Sequence, residues 1–203
     1  MTSMPDAPTP APPTPPRKGS SLAIKIVGGL AVVLVLGVVV LFVIGLSMPV
    51  NHEAHATIQL NQPIGTVWGD MLNVEAYPSW REPKLKSVKK EAPMNGHLTW
   101  TEDWGSGEPP VTLEATAESS MSQWEVTIHD PSHTYTGAWT FDLAPSPDGA
   151  GSLLTITERG SVPNPVIRAM FSMSTGADYY LKMWLQSLAK KYGETPNWVT
   201  EST

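Results

Sequence analysis

Six side chains in this 203-residue chain are candidates for moving protons: Glu102, Asp103, His129, Asp130, Tyr135 and Glu158. Alternation along the segments that carry them turns Glu102, Tyr135 and Glu158 toward an aromatic inner face. A carboxyl group deprived of water there has a raised pKa and can act as a general acid or base. Such a carboxylate more commonly pairs with an arginine, and Arg81, Arg159 and Arg168 are candidates. The histidines, His52, His55, His97, His129 and His133, have no metal-ligand spacing, and neither an HExxH pair nor a Gly-rich phosphate loop occurs. With no cysteine there is no thiolate, no disulfide and no cysteine-bound metal. No metal and no cofactor are therefore expected. Binding is the better reading of these residues than catalysis, with Glu102, Glu158 and Tyr135 as the catalytic candidates.

The same alternation collects a face that is aromatic and nearly uncharged. It comprises Leu98, Trp100, Glu102 and Trp104; Leu113, Ala115 and Ala117; Trp124, Val126 and Ile128; Tyr135, Gly137, Trp139, Phe141 and Leu143; Leu154, Ile156 and Glu158. The opposite face, including Thr99, Thr101, Asp103, Glu114, Thr116, Glu125, Thr127 and Thr140, has the composition of a solvated sheet surface. Seven of the eight tryptophans precede residue 190. They fill a core or, with the small residues Ala115, Ala117 and Gly137 leaving room, line a pocket. The candidate ligand wall is Trp100, Trp124, Ile128, Tyr135, Trp139, Phe141 and Ile156 on the sheet, with Met170, Met173 and Trp184 on a C-terminal helix.

The elements that must position these residues follow from periodicity. A strand, AHATIQL, leads into Pro63-Ile-Gly-Thr-Val67-Trp68, where Pro63 suits a first helical turn and Ile64, Val67, Trp68, Met71 and Leu72 share a face. A second short helical piece, Val74 to Trp80, is interrupted at Pro78. Period-two segments then run at Leu85 to Glu91, Leu98 to Trp104, Val111 to Glu118, Gln123 to His129, Tyr135 to Leu143 and Leu153 to Ser161. Their turns are too short for crossovers, so the hairpins are antiparallel. From Pro165 to Tyr192 helical spacing returns, predicting one helix of about 40 Å laid over a curved sheet. Within it Ser172-Met-Ser174-Thr175-Gly176 is a patch of weak helix formers that marks a kink or a gate.

One strand, two short helices, six strands and a long helix make an α+β domain. This order resembles the helix-grip fold of the START and Bet v 1-like superfamily (SRPBCC), in particular its polyketide cyclase/dehydrase and lipid-transport branch. The resemblance rests on His55-Ala-Thr-Ile-Gln-Leu with Pro63-Ile-Gly-Thr-Val67-Trp68, on Tyr77-Pro78-Ser-Trp80, and on Glu158-Arg159-Gly160-Ser-Val162-Pro163-Asn164-Pro165 before the last helix. It implies a curved antiparallel sheet of about seven strands around a long C-terminal helix, with a cavity between them. The function it favours is a binding module for a hydrophobic small molecule or lipid. The alternatives are a cyclase- or dehydratase-like enzyme using an inward carboxylate, and a ligand-free domain acting through its surface in an envelope complex.

Ahead of the domain, Ile26 to Met48 runs without a charge. As a helix it spans roughly 34 Å, enough for a hydrocarbon core of about 30 Å. Arg17, Lys18 and Lys25 on its N-terminal side place the N-terminus in the cytoplasm and export the rest to a periplasm or the cell exterior. The expected plan is a disordered Pro-rich tail over 1–21, a transmembrane helix over 22–48, the START-like domain over 53–195 and a short C-terminal tail over 196–203. Beyond Lys25 the chain has 10 Lys and Arg against 18 Asp and Glu, an acidic balance that argues against nucleic acid. The partners expected are a membrane, through the single span, and a lipid or other hydrophobic molecule.

Overall fold

The computed structural model describes residues 20–82, 84–105, 107, 109–174, 176 and 178–199. The chain divides between Val40 and Leu41 into two units. Most of helix α1, Ser20–Leu46, belongs to the first, and Ile24–Leu46 is long and apolar enough to cross a membrane. The tail expected over 1–21 falls, up to residue 19, outside the described residues.

The second unit is built on one eight-stranded antiparallel sheet. Its strands are β1 (Asn51–Leu60), β2 (Ser87–Lys90), β3 (Thr99–Asp103), β4 (Val111–Ser119), β5 (Gln123–His129), β6 (Thr136–Pro145), β7 (Ser152–Ser161) and β8 (Asn197–Trp198). Hairpins carry the chain from β2 to β7, and β1 closes against β7 over its whole length, from Asn51 opposite Ser161 to Leu60 opposite Ser152. The two-residue β8 pairs Trp198 with Ile58 and Asn197 with Gln59, inside the stretch the sequence leaves as a tail.

Helix α2 (Ile64–Leu72) buries Val67, Trp68 and Met71, the stripe its spacing predicts. A 3₁₀ turn, Val74–Ser79, accommodates Pro78 and is tied back by the Tyr77 hydroxyl, which donates to the Met71 carbonyl at 2.6 Å. The core lies where β1, β7 and the C-terminal helix meet, with Ile58, Leu60, Leu154, Ile156, Leu181, Leu185 and Leu188 fully buried.

Three expectations need correction. The single 40 Å helix is two: α3 (Pro165–Ser174) and α4 (Tyr179–Lys191), parted at the patch of weak helix formers. Glycine and serine hold a helix poorly, and Tyr179 N–H instead bonds the Gly176 carbonyl at 3.1 Å as α4 begins anew. Ala117 is exposed rather than inward, because a β-bulge between Ala115 and Ala117 shifts the register of β4 on β5. Glu114, on the face read as solvated, is only 4% exposed. Asn95 (3.1 Å), His97 (3.0 Å) and His129 (3.1 Å) converge on its carboxylate. The hydrogen bonds from Asn95 and His97 hold that carboxyl below the usual range.

Candidate ligand cavity

Between the inner face of the sheet and helices α3 and α4 lie two adjoining chambers, of about 350 and 590 Å³. Ile128, Trp139 and Tyr180 border both.

The smaller chamber is an aromatic box. Trp100 stacks on Trp124 at 5.6 Å between ring centroids, Trp124 tilts onto Phe141 at 5.3 Å, and Phe141 meets Trp184 edge-on at 5.1 Å. Alternation on β3, β5 and β6 sends these rings inward, and Trp184 follows from the buried stripe Leu181, Trp184, Leu185 and Leu188 of α4. One charged pair sits in this wall. Arg81 donates to Glu102 at 2.5 Å, with Glu102 2% exposed, and the Trp100 indole donates to the same carboxylate oxygen at 3.2 Å. The guanidinium is held between the rings of Tyr77 and Trp104, 5.4 and 5.2 Å from their centroids. Glu102 is thereby a structural counter-ion, with Oε1 engaged by both Arg81 and the Trp100 indole.

The larger chamber is polar on one side. Its walls include Met48, Pro49, His52, Tyr135, Glu158, Arg168 and Phe171. Glu158, 7% exposed, accepts the Tyr135 hydroxyl at 2.8 Å and faces His52 Nε2 at 3.4 Å, both on its Oε1. The Tyr135 ring lies over a bare patch of sheet where Gly137 and Gly160 stand directly opposite each other on β6 and β7. A Cβ on Gly160 would come within 2.6 Å of that ring, and one on Gly137 would collide with the phenol oxygen. Glycine at both positions is what lets the tyrosine lie flat. Burial, then the charge and hydrogen bond of Glu158, push the phenol pKa up, while the Trp139 indole pulls weakly the other way.

Arg168 borders the same chamber, but its guanidinium is committed to backbone. It donates to Gly45 O at 3.0 and 2.7 Å, to Val162 O at 2.6 Å and to Pro163 O at 3.2 Å. Gly45 packs against the Pro165 carbonyl so closely that no side chain fits there. The last turn of α1 and the start of α3, both within the second unit, are thus joined by the Arg168 guanidinium on Gly45 O and by the close packing of Gly45 on Pro165.

The expected wall divides accordingly. Trp100, Trp124, Phe141 and Trp184 border the small chamber, Tyr135 the large one, and Ile128 and Trp139 both. Ile156 is fully buried in the packed core and reaches neither. Met170 and Met173 are 55% and 67% exposed. Arg168, reaching inward for three carbonyls, rolls α3 so that Arg168 and Ala169 are buried and the methionines face out. Of the remaining proton-moving candidates, Asp103 pairs with Lys86 at 3.0 Å near the sheet edge, and His129 belongs to the Glu114 cluster. Asp130 organises the turn before β6: burial would raise its pKa, yet bonds from Ser132, Thr134 and Tyr135 hold it at about 2. Sequence reasoning did not place His52 or Tyr180 at the site, and offered Arg168 only as a carboxylate partner, whereas it bonds backbone carbonyls. His52 lies ahead of the predicted strand, while the signal for Tyr180 was the Gly176 break just before it.

No protein-family model matches the chain, and no curated protein is similar enough to it to count as a relative. Solved structures are similar in fold. A START superfamily protein from Mycobacterium smegmatis superposes with a TM-score of 0.51 at 16% identity, over 69% of this chain and 96% of that one. A truncated norcoclaurine synthase from Thalictrum flavum gives 0.56 at 11% identity, over 70% and 94%. The di-domain ARO/CYC StfQ from the steffimycin biosynthetic pathway gives 0.52 at 7% identity, over 71% of this chain and 52% of that protein. The chain has the α+β helix-grip fold that these START-like structures share.

Proposed function

We propose that the folded unit holds a hydrophobic small molecule or lipid in the two chambers and that α1 anchors it in a membrane. The observation that carries this reading is the pair of adjoining, tryptophan-walled chambers between sheet and helices. Such concave, mostly apolar spaces with few polar groups are where small ligands bind. The proposed plan keeps the Pro-rich tail (1–21) in the cytoplasm, spans the bilayer over 22–48 and exports the domain over 53–195. The exposed apolar side chains Met170, Phe171 and Met173 on α3, the helix whose Arg168 bonds Gly45 at the last turn of α1, support a bilayer-proximal position. Native mass spectrometry of the full chain released from nanodiscs tests the binding reading. The expected result is a bound mass that organic extraction removes; a chain observed only in its free form overturns it.

A second reading, a cyclase- or dehydratase-like enzyme, draws on Glu158 alone, because Glu102 is neutralised by Arg81. Glu158 borders an open chamber with a tyrosine and a histidine beside it. Turnover of a polyketide-like substrate that Glu158→Gln abolishes would establish that reading.

A further inference from the structure

The exposure of the residues around the larger chamber locates its open side. Glu158, Val162 and Arg168 are buried, whereas Pro49, Phe171, Ser172, Gly176 and Tyr180 are exposed. The chamber therefore opens between two stretches of chain: Met48-Pro49 on one side, and the end of α3 with the first turn of α4 on the other. Met48 and Pro49 lie two and three residues beyond Leu46, where α1 ends. Three residues reach at most about 10 Å, and the headgroup layer on each face of a bilayer is roughly 5–8 Å thick. On the anchoring reading, the mouth opens at the headgroups.

The rim has the composition that such a position needs. Val50, Met170, Phe171, Met173, Tyr179 and Tyr180 are each at least 42% exposed. No charge occurs over 46–50 or 169–174, and Asp178, beside the rim, is paired with Lys182 at 2.5 Å. Tyr179 and Tyr180 meet edge-on at 5.3 Å, and tyrosine is a ring type that collects at membrane–water interfaces. An apolar rim of this kind marks a contact surface. The contact is a bilayer, because the lip at Met48-Pro49 continues directly from a helix apolar enough to span one, and Arg168 ties α3 to the last turn of that helix.

Resting on the binding and anchoring reading above, we infer that the larger chamber is filled sideways from the leaflet in which α1 ends, and that its ligand is a bilayer-resident amphiphile rather than a molecule taken from the aqueous phase. The end of the span is then one lip of the site as well as an anchor. A ligand on this route crosses no water, so its delivery needs no soluble carrier.

The test uses the full chain in phosphatidylcholine nanodiscs, with single cysteines carrying the fluorophore NBD and a phosphatidylcholine that bears a doxyl quencher near its headgroup. A label at Ser172→Cys, at the mouth, is expected to be quenched several-fold more than one at Met121→Cys on the β4–β5 turn. A label at Val43→Cys, near the end of α1, is the membrane control. In a second arm the nanodiscs hold a C16 monoacylglycerol with a diazirine in its chain, which is expected to label the peptide containing Trp139. Ser172→Trp, which crowds the mouth, is expected to cut that labelling several-fold, and Met121→Trp to leave it unchanged. Should Ser172→Trp fail to fold by circular dichroism, the quenching comparison alone decides. Quenching at Val43 without quenching at Ser172, or cavity labelling that Ser172→Trp leaves intact, overturns the inference and leaves the binding reading standing. An unquenched Val43 label overturns the anchoring reading and the inference with it. Absence of cavity labelling overturns the inference, and the binding reading falls too where native mass spectrometry finds only the free chain.

Discussion

At the scale of single residues, the buried Arg81–Glu102 pair makes the sharpest stability prediction. Removing one partner leaves an uncompensated charge among aromatic rings, so Glu102→Leu is expected to cost about 3–5 kcal/mol in denaturant unfolding. The double variant Arg81→Met with Glu102→Leu should recover most of that loss, because both charges leave together. Asp130 makes a pH prediction. Its folded pKa of about 2 lies below the roughly 3.9 of an unfolded aspartate. Its contribution is therefore complete above about pH 4 and drains away as pH falls from there toward 2. Unfolding midpoints of wild type and Asp130→Asn across that interval should converge at the acid end. Strict alternation made the inner rings Trp100, Trp124 and Phe141 legible in the sequence. Glu114 was not legible, because His97 and His129 reach it from a turn and from the next strand, and only the pairing register brings them together.

At the scale of elements, the strands follow the sequence closely because each is bounded by a turn and alternates between two dissimilar faces. The C-terminal helix does not, for two physical reasons. Its weak patch breaks it completely rather than bending it, and α3 is oriented by an arginine bonding to carbonyls instead of by its apolar stripe. The start of α3 was readable, since Asn164 accepts the N–H groups of Val166 and Ile167 at 2.9 and 3.3 Å ahead of Pro165. Asn164→Ala is expected to cost about 1 kcal/mol in thermal unfolding. Gly45→Val forces the helix end off the Pro165 carbonyl, and overpacking of this kind costs about 1–3 kcal/mol. A melting temperature unchanged by Gly45→Val would mean that α1 and α3 are not held together in solution.

At the scale of the whole molecule, the absence of cysteine makes topology directly measurable. Met121, half exposed on the β4–β5 turn, can be replaced by cysteine, and so can Thr9 in the tail. An impermeant maleimide should label Met121→Cys in cells whose envelope is opened only to the outer face of the inner membrane, and label Thr9→Cys only after lysis. The reverse pattern would invert the proposed orientation.

The wall shared by the two chambers gives the molecule a further property. Ile128, Trp139 and Tyr180 border both spaces, so these three side chains form the partition between the tryptophan box and the polar chamber. A ligand of the proposed kind that filled both chambers would touch all three partition residues at once, so Tyr180→Ala would be expected to broaden the range of ligand sizes accepted.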